Sequence, residues 1–194
     1  MPFILMLAGY LLGSIPFGFI IGKIGKIDVR RAGSGNIGAT NVMRTMGAVP
    51  GGLVLALDAL KGALPVWLAQ AYSGDPTIIV LCGLAAMIGH AFPLFLGFKG
   101  GKGVATGAGV LLGIAPEMFF FGLVLFLVIV GLTRYVSAGS VLAAATVFLL
   151  FILLGKPLPY TVLVGLAAVL IVLRHIPNIK RLIAGTELRI GEKR

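Results

Sequence analysis

Apolar positions in this chain come in runs long enough to cross a bilayer. From Phe3 to Gly22 no side chain is charged at neutral pH, and similar runs follow over Pro50–Tyr72, Thr77–Gly97, Val104–Ala115, Met118–Thr133, Gly139–Leu154 and Leu158–Leu173. A spanning helix needs about 20 predominantly apolar residues. The pattern therefore predicts an all-α polytopic membrane protein of seven transmembrane helices, with residues 1–194 forming one membrane domain. The first run has no basic start and no clear small-residue cleavage site, so it is expected to be a retained helix, not a signal peptide.

The fourth and fifth runs are each short. Fused, Val104 to Thr133 would make one helix of about 45 Å, well beyond a hydrocarbon core of roughly 30 Å. The distribution of basic residues decides between the two readings. With the runs split at Ala115-Pro116-Glu117, one side of the membrane collects Lys23, Lys26, Arg30, Arg31, Arg44, Lys99, Lys102, Arg134, Arg174, Lys180, Arg181, Arg189, Lys193 and Arg194, and the other keeps only Lys156, a split of 14 to 1. Fusing them gives 8 to 7. Seven spans are thus expected, with the N-terminus outside and the C-terminus cytoplasmic.

Composition agrees. Of 194 residues, 59% are apolar and 11% are charged, against about a quarter charged in a soluble domain. The formal net charge of +10 is in part this topology signal, and it also attracts anionic lipid headgroups. Nucleic acid is excluded as a partner because the basic residues are distributed over loops pinned to a membrane. Cys82 has no second cysteine to pair with and lies inside an apolar run, as an inert packing residue would.

Polar residues gather on the side predicted to be cytoplasmic. They cluster at Gly33–Asn41 with Arg44, at Asp58 with Lys61, at Gly89-His90, at Phe98–Thr106, at Arg134–Ser140 and at Arg174-His175 with Asn178. Gly33 to Gly38 is a literal GxGxxG, but no buried strand precedes it, as a dinucleotide site would require. Gly97 to Gly103 lacks a P-loop's first glycine at Leu96 and its Ser or Thr at Gly103. The physics of such loops still applies. Glycines let successive backbone amides converge on an anion, lysine adds charge, and a following helix adds its dipole. Lys99-Gly100-Gly101-Lys102-Gly103 before the fourth span, and Ser34-Gly35-Asn36 near Arg44, are expected to be two such anion nests.

Asp58 and Lys61 are three residues apart on one helical face inside a span, where charges mark function or a paired brace. His90 and His175 are each a possible base, phosphate ligand or plain hydrogen-bonding residue. No clustered Cys or His suggests a metal, and no Ser/His/Asp order stands out. Arg44, Lys99, Lys102 and Arg174, with Arg134 as a further candidate, together carry enough positive charge for two phosphorylated substrates.

These motifs, in this order, resemble the bacterial acyl-phosphate:glycerol-3-phosphate acyltransferases of the PlsY type. The resemblance rests on Gly13-Ser14-Ile15-Pro16-Phe17-Gly18, Ser34–Asn41 with Arg44, Leu57–Gly62, Gly89-His90 to Phe95 with Phe98–Thr106, Thr133–Ser140, and Arg174-His175 with Asn178, and it covers essentially the whole chain. It implies seven helices in the bacterial cytoplasmic membrane and a site facing the cytoplasm. The implied reaction takes an acyl group from acyl phosphate to glycerol 3-phosphate, giving 1-acylglycerol 3-phosphate and phosphate, with no cofactor. The implied partners are the two substrates, membrane lipids, and the upstream enzyme that makes acyl phosphate.

The His-x-x-x-x-Asp dyad of other glycerolipid acyltransferases is absent, since Phe95 and Lys180 stand five residues after His90 and His175. The candidate catalytic residues are His175, Asn178, Lys102 and Ser34. The candidate substrate-binding residues are Ser34, Gly35, Asn36, Gly38, Thr40, Asn41, Arg44, Asp58, Lys61, His90, Lys99, Gly100, Gly101, Lys102, Gly103, Thr106, Ser140, Arg174, His175 and Asn178. Pro177 is expected to break the last helix and turn Asn178 back, with Arg174 gripping glycerol 3-phosphate. An organic-anion or phosphate transporter is the alternative, disfavoured because polar groups sit at one face and no internal repeat appears. A non-catalytic scaffold would leave the glycine–lysine clusters unexplained.

Overall fold

A computed structural model describes residues 1–192. Lys193 and Arg194, two of the basic residues assigned to one side above, lie outside the described residues. Among those described the chain is all helix and loop: α1 (Pro2–Ser14), α2 (Phe17–Ile24), α3 (Ala39–Met46), α4 (Ala48–Tyr72), α5 (Pro76–Ala91), a 3-10 turn (Leu94–Leu96), α6 (Val104–Ile114), α7 (Pro116–Thr133), α8 (Val136–Leu153) and α9 (Leu158–Ile183). Six of the helical segments are long and apolar enough to cross a membrane, counting Pro2–Ile24 as one. The seventh expected span, α6, is an 11-residue helix, which at 1.5 Å per residue rises only about 16 Å.

The first span is bent where one uninterrupted helix was expected. Pro16 has no N–H to give and forces the preceding residue out of the helical region, and Ile15 is extended at φ −62°, ψ 115°. The last span differs in the opposite sense. Pro177 lies inside α9, which continues to Ile183, so the expected helix break is absent. One proline removes one backbone bond, and the turn beyond it is held by side-chain contacts described below.

Helices meet through small residues, as membrane helices do when burial of apolar surface gives them no preference for one another. A Cβ on Gly13 of α1 would run into the Ala86 carbonyl of α5, and one on Gly62 of α4 into the Thr106 carbonyl of α6. These approaches leave the exposed faces to lipid: Val124, Leu127, Val128 and Leu132 of α7 all stand out from the bundle. At the far end of α4, Asp75 caps α5 by accepting from the Thr77 N–H at 2.7 Å, with Pro76 at the first helical position.

Candidate active site

The first wall of the site is the loop from Ile27 to Gly38 with α3. Its organiser is Asn41, fully buried, whose Nδ2 donates to the carbonyls of Val29 (2.8 Å), Ala32 (3.1 Å) and Asn36 (2.8 Å) while its Oδ1 accepts from the Ser34 N–H at 2.7 Å. The Gly35 N–H goes to the Ala32 carbonyl and the Gly38 N–H to Asn36 Oδ1. The expected anion nest at Ser34-Gly35-Asn36 is therefore largely closed on itself, since most of its amides already have internal partners. The loop presents Ser34 and Asn36 to the cleft and α3 presents Thr40 and Arg44, while Gly35 (φ +72°) makes the turn behind Ser34 and Asn36.

The second wall is the loop between α5 and α6. The Gly101 N–H donates to the His90 carbonyl at 3.1 Å, and a Cβ at Gly100 or Gly101 would strike that carbonyl or the imidazole. Glycine is needed here so that the backbone can lie against His90. Gly103, at φ +83°, then opens α6. Arg174 secures the loop from the side: its Nε donates to the Gly101 carbonyl (3.1 Å), its Nη2 to the Gly100 carbonyl (2.7 Å), and its guanidinium lies over the Phe92 ring. The expected direct grip of the Arg174 fork on a phosphate is thus accompanied by a structural hold on the loop through Nε and Nη2. Lys99 is exposed on the outer side of the loop, and Lys102 alone of the two lysines lines the cleft.

The third wall comes from α8 and α9. Because α9 runs on through Pro177, Ile171, His175 and Asn178 fall at helical spacing on one buried face. His175 Nδ1 stands 2.8 Å from the Ile171 carbonyl. A carbonyl only accepts, so Nδ1 carries the proton and, in the neutral ring, Nε2 keeps its lone pair. Asn178 accepts from Lys102 Nζ through Oδ1 (2.6 Å) and donates from Nδ2 to Glu187 Oε1 (2.6 Å). Glu187 also receives Ser137 Oγ (2.8 Å) and Arg181 Nε (2.7 Å). Burial pushes its carboxyl up, but the bonds from Asn178, Ser137 and Arg181 more than offset this and hold it below its ordinary value.

The floor is the pair on α4. Asp58 Oδ1 is 2.8 Å from Lys61 Nζ, both side chains being about 3% exposed, and His90 Nδ1 stands 3.8 Å from the same carboxylate oxygen. Lys61 Nζ also donates at 2.7 Å to the Ile15 carbonyl, which accepts from the Phe17 N–H as well (3.1 Å), where Pro16 interrupts the first span. Thr106 is fully buried on α6 behind this floor, and Ser140 Oγ is turned back onto the Val136 carbonyl.

These walls enclose a cleft of about 210 Å³. Of the residues singled out from sequence, it is lined by Ser34, Asn36, Gly38, Thr40, Asn41, Arg44, Asp58, His90, Lys102, Gly103, Ser140, His175 and Asn178. Gly35, Lys61, Lys99, Gly100, Gly101, Thr106 and Arg174 are not among its lining, and several of them support residues that are. Ser137, Arg181 and Glu187 line it and were not anticipated. Both acids at the cleft are matched by a cation, Asp58 by Lys61 and Glu187 by Arg181, and the Lys102 ammonium adds a positive charge to the lining. Burial pushes the Lys102 ammonium down from 10.5 to about 8, with Glu187 opposing the push and Arg181, Arg174 and Arg44 adding to it.

Beside the cleft an apolar groove of about 190 Å³ follows α6 between α7, α8 and α9, and Leu55, Val104, Ala105, Phe126 and Ser140 border both spaces. Fold and site together define a polytopic helical membrane protein with a cationic cleft opening into a lipid-like groove. Comparison with known proteins makes this specific. Residues 3–185 match the model of the family described as glycerol-3-phosphate acyltransferase. A relative from Moorella thermoacetica, named glycerol-3-phosphate acyltransferase 2, is 47% identical over 97% of each chain, and a glycerol-3-phosphate acyltransferase of Thermotoga petrophila is 49% identical over 94% of this chain and 93% of its own. The crystal structure of PlsY (YgiH), an integral membrane glycerol 3-phosphate acyltransferase, in its glycerol 3-phosphate form superposes with a TM-score of 0.95 at 42% identity, covering 98% of this chain and 96% of that one. Its lysophosphatidic acid form gives 0.92 at 41% identity, covering 98% and 95%. The chain belongs to the glycerol-3-phosphate acyltransferase family.

Proposed function

We propose that this chain transfers a fatty acyl group from acyl phosphate to glycerol 3-phosphate, giving 1-acylglycerol 3-phosphate and phosphate. The observation that carries the reading is the continuity of the cationic cleft with the apolar groove: one space suits phosphate groups, the next an acyl chain, and the bond to be broken belongs at their border. The PlsY structures named for their glycerol 3-phosphate and lysophosphatidic acid forms are consistent with an acceptor and an acylated product sharing one site.

In this reading the free primary hydroxyl oxygen of glycerol 3-phosphate attacks the acyl carbonyl carbon. The carbonyl-carbon-to-oxygen bond of the mixed anhydride breaks, and phosphate leaves. The hydroxyl proton passes to the departing phosphate or to His175 Nε2, which the Ile171 contact leaves as a lone-pair acceptor in the neutral ring. Lys102, with Arg44 and the Ser34 hydroxyl, offsets the repulsion of two phosphates, while Asn178 fixes the Lys102 ammonium. An acyl phosphate is already activated, so positioning and charge supply most of what the protein must add.

We further take α6 as the seventh crossing, completed by its flanking loops, which gives the 14 to 1 charge distribution, an outside N-terminus and a cleft at the cytoplasmic face of the bacterial inner membrane. The test of the reaction is phosphate release from acyl phosphate by the purified protein, with and without glycerol 3-phosphate, and with acyl-CoA as a rival donor. Acceptor-dependent release is expected. Acylation from acyl-CoA alone, or release indifferent to the acceptor, overturns the reading.

Arg174→Lys keeps a charge but loses the two-pronged hold on the Gly100 and Gly101 carbonyls. Because that hold serves the loop carrying Lys102, kcat should fall about tenfold, with KM for both substrates shifting together. Steady-state kinetics varying each substrate in turn checks this. A KM rise confined to glycerol 3-phosphate would make Arg174 its direct ligand.

A further inference from the structure

The apolar groove is graded along its length and meets a buried apolar cluster at its far end. Away from the cleft, the face that α8 turns to it reads Ser140, Ala143, Ala144 and Val147, at the spacing of one helical face. One turn further stands Phe151, 1% exposed. The sequence of sizes therefore runs from hydroxyl to methyl to isopropyl to phenyl. Facing it, α9 presents Ala167 and Ala168 in the middle and Val164 and Leu163 beyond. The groove ends where Val147 and Val164 pack with Ala115 and Phe151 into a closed cluster, against which Ile114 and Tyr160 also lie. Ala115 stands at the turn from α6 into α7, so the cluster joins this turn to α8 and α9.

Small residues in the middle leave room for a chain of methylenes, and the cluster at the end fixes how many fit. A packed apolar cluster resists insertion, because interiors at close-packed density yield only with strain. We infer that this groove is a length gauge for the acyl chain, with Val147, Val164 and Phe151 as its stop and Ala143 setting the width partway along. The inference rests on the acyl-phosphate reading above and adds to it the residues that choose among donors.

The test uses the purified full chain and a homologous series of saturated acyl phosphates, from short to long, with saturating glycerol 3-phosphate. Ala143→Leu places a branched side chain in the middle of the groove, and Val147→Ala shortens the stop. One methylene in an apolar pocket is worth about 10-fold or more in kcat/KM. Ala143→Leu should therefore lower kcat/KM for long donors relative to short ones by about tenfold or more. Val147→Ala should shift the ratio the other way, towards donors longer than the wild-type optimum. KM for glycerol 3-phosphate should stay put in both, as should the donor profile of Leu149→Ala, which alters a lipid-facing position on α8.

If Ala143→Leu fails to insert, Val147→Ala carries the test alone, since it only removes atoms. A wild type that turns over the acyl phosphates while the variants that fold keep its donor profile overturns the gauge and leaves the reaction standing. A wild type inactive with every acyl phosphate overturns the reaction itself, and the gauge with it.

Discussion

Lys102→Ala should cut kcat/KM about 100-fold, roughly 2.7 kcal/mol of transition-state stabilisation, while the protein still inserts and folds. Lys102 Nζ is the ammonium held 2.6 Å from Asn178 Oδ1 in the cleft wall, itself fixed by Glu187. Without it, a phosphate in the cleft loses a charge-assisted partner in partly desolvated surroundings. Lys99→Ala should stay near wild type, because that side chain is exposed on the outer side of the same loop. The pair separates a local contact from a diffuse field. Burial lowers the Lys102 ammonium to about 8, so in the empty cleft the cationic form is lost as pH rises through that value. Phosphate binding favours the cation, so affinity for both substrates should weaken above about pH 8. Folding has the opposite sense: the folded state holds this proton less tightly than the unfolded chain, so stability should gain as pH rises from about 8 towards 10.5. Kinetics of Lys102→Ala across pH 7 to 10 would check this, since its KM should lack the wild type's rise near 8. Turnover of Lys102→Ala close to wild type at subsaturating substrate would remove Lys102 from the site.

The membrane spans and the residues that gather at the cleft were legible because both rest on local rules. An uncharged run of span length has few alternatives to a membrane helix, and an Asp and a Lys three apart on a helix are neighbours wherever that helix goes. The failures share a different cause: they depend on contacts that no fixed spacing announces, some close in sequence and some far. Asn41 looked like one more polar residue in a glycine loop, yet its amide collects carbonyls from Val29, Ala32 and Asn36, and so closes the nest that the glycines alone suggested. Arg174 was judged by its chemistry as a phosphate fork, and its hold on two carbonyls 73 and 74 residues away was not foreseen. Glu187 was missed because an isolated acid in a basic tail, five residues from Glu192, carries no motif. Its value comes from Ser137, 50 residues away, and Asn178, which reach it only once α8 and α9 pack. Pro177 was read by the general rule for proline in helices. The ties from Asn178 and Arg181 to Glu187 act on the turn beyond it, and there tertiary contacts outweigh one lost backbone bond.

Replacing Asp58 or Lys61 singly should damage the protein more than replacing both. The two form an ion pair at 2.8 Å inside α4, with both side chains about 3% exposed. Lys61→Met leaves a buried carboxylate without its ammonium, and Asp58→Leu leaves a buried ammonium without its carboxylate. Breaking a buried pair in this way costs about 3–5 kcal/mol. Asp58→Leu with Lys61→Met removes both charges together, and an apolar pair of similar volume is often as stable as the ions it replaces. Recovery should be incomplete, because Lys61 Nζ also donates to the Ile15 carbonyl at 2.7 Å, where Pro16 interrupts the first span. That carbonyl keeps its bond from the Phe17 N–H, so what is lost is one hydrogen bond from a charged group, about 1.5–3 kcal/mol. The double variant should thus unfold in detergent micelles at a temperature between those of the single variants and the wild type. Activity should not follow stability back. Asp58 lines the cleft and stands 3.8 Å from His90, whose carbonyl seats the Gly101 N–H of the loop that carries Lys102. With an apolar residue at 58, the imidazole loses its polar neighbour and the loop its fixed seat, so turnover should remain below about a tenth of wild type. Thermal unfolding and turnover of the three variants, measured side by side, decide the matter. Single variants no less stable than the double would show that the two charges are not coupled, and a double variant with full activity would reduce the pair to a brace.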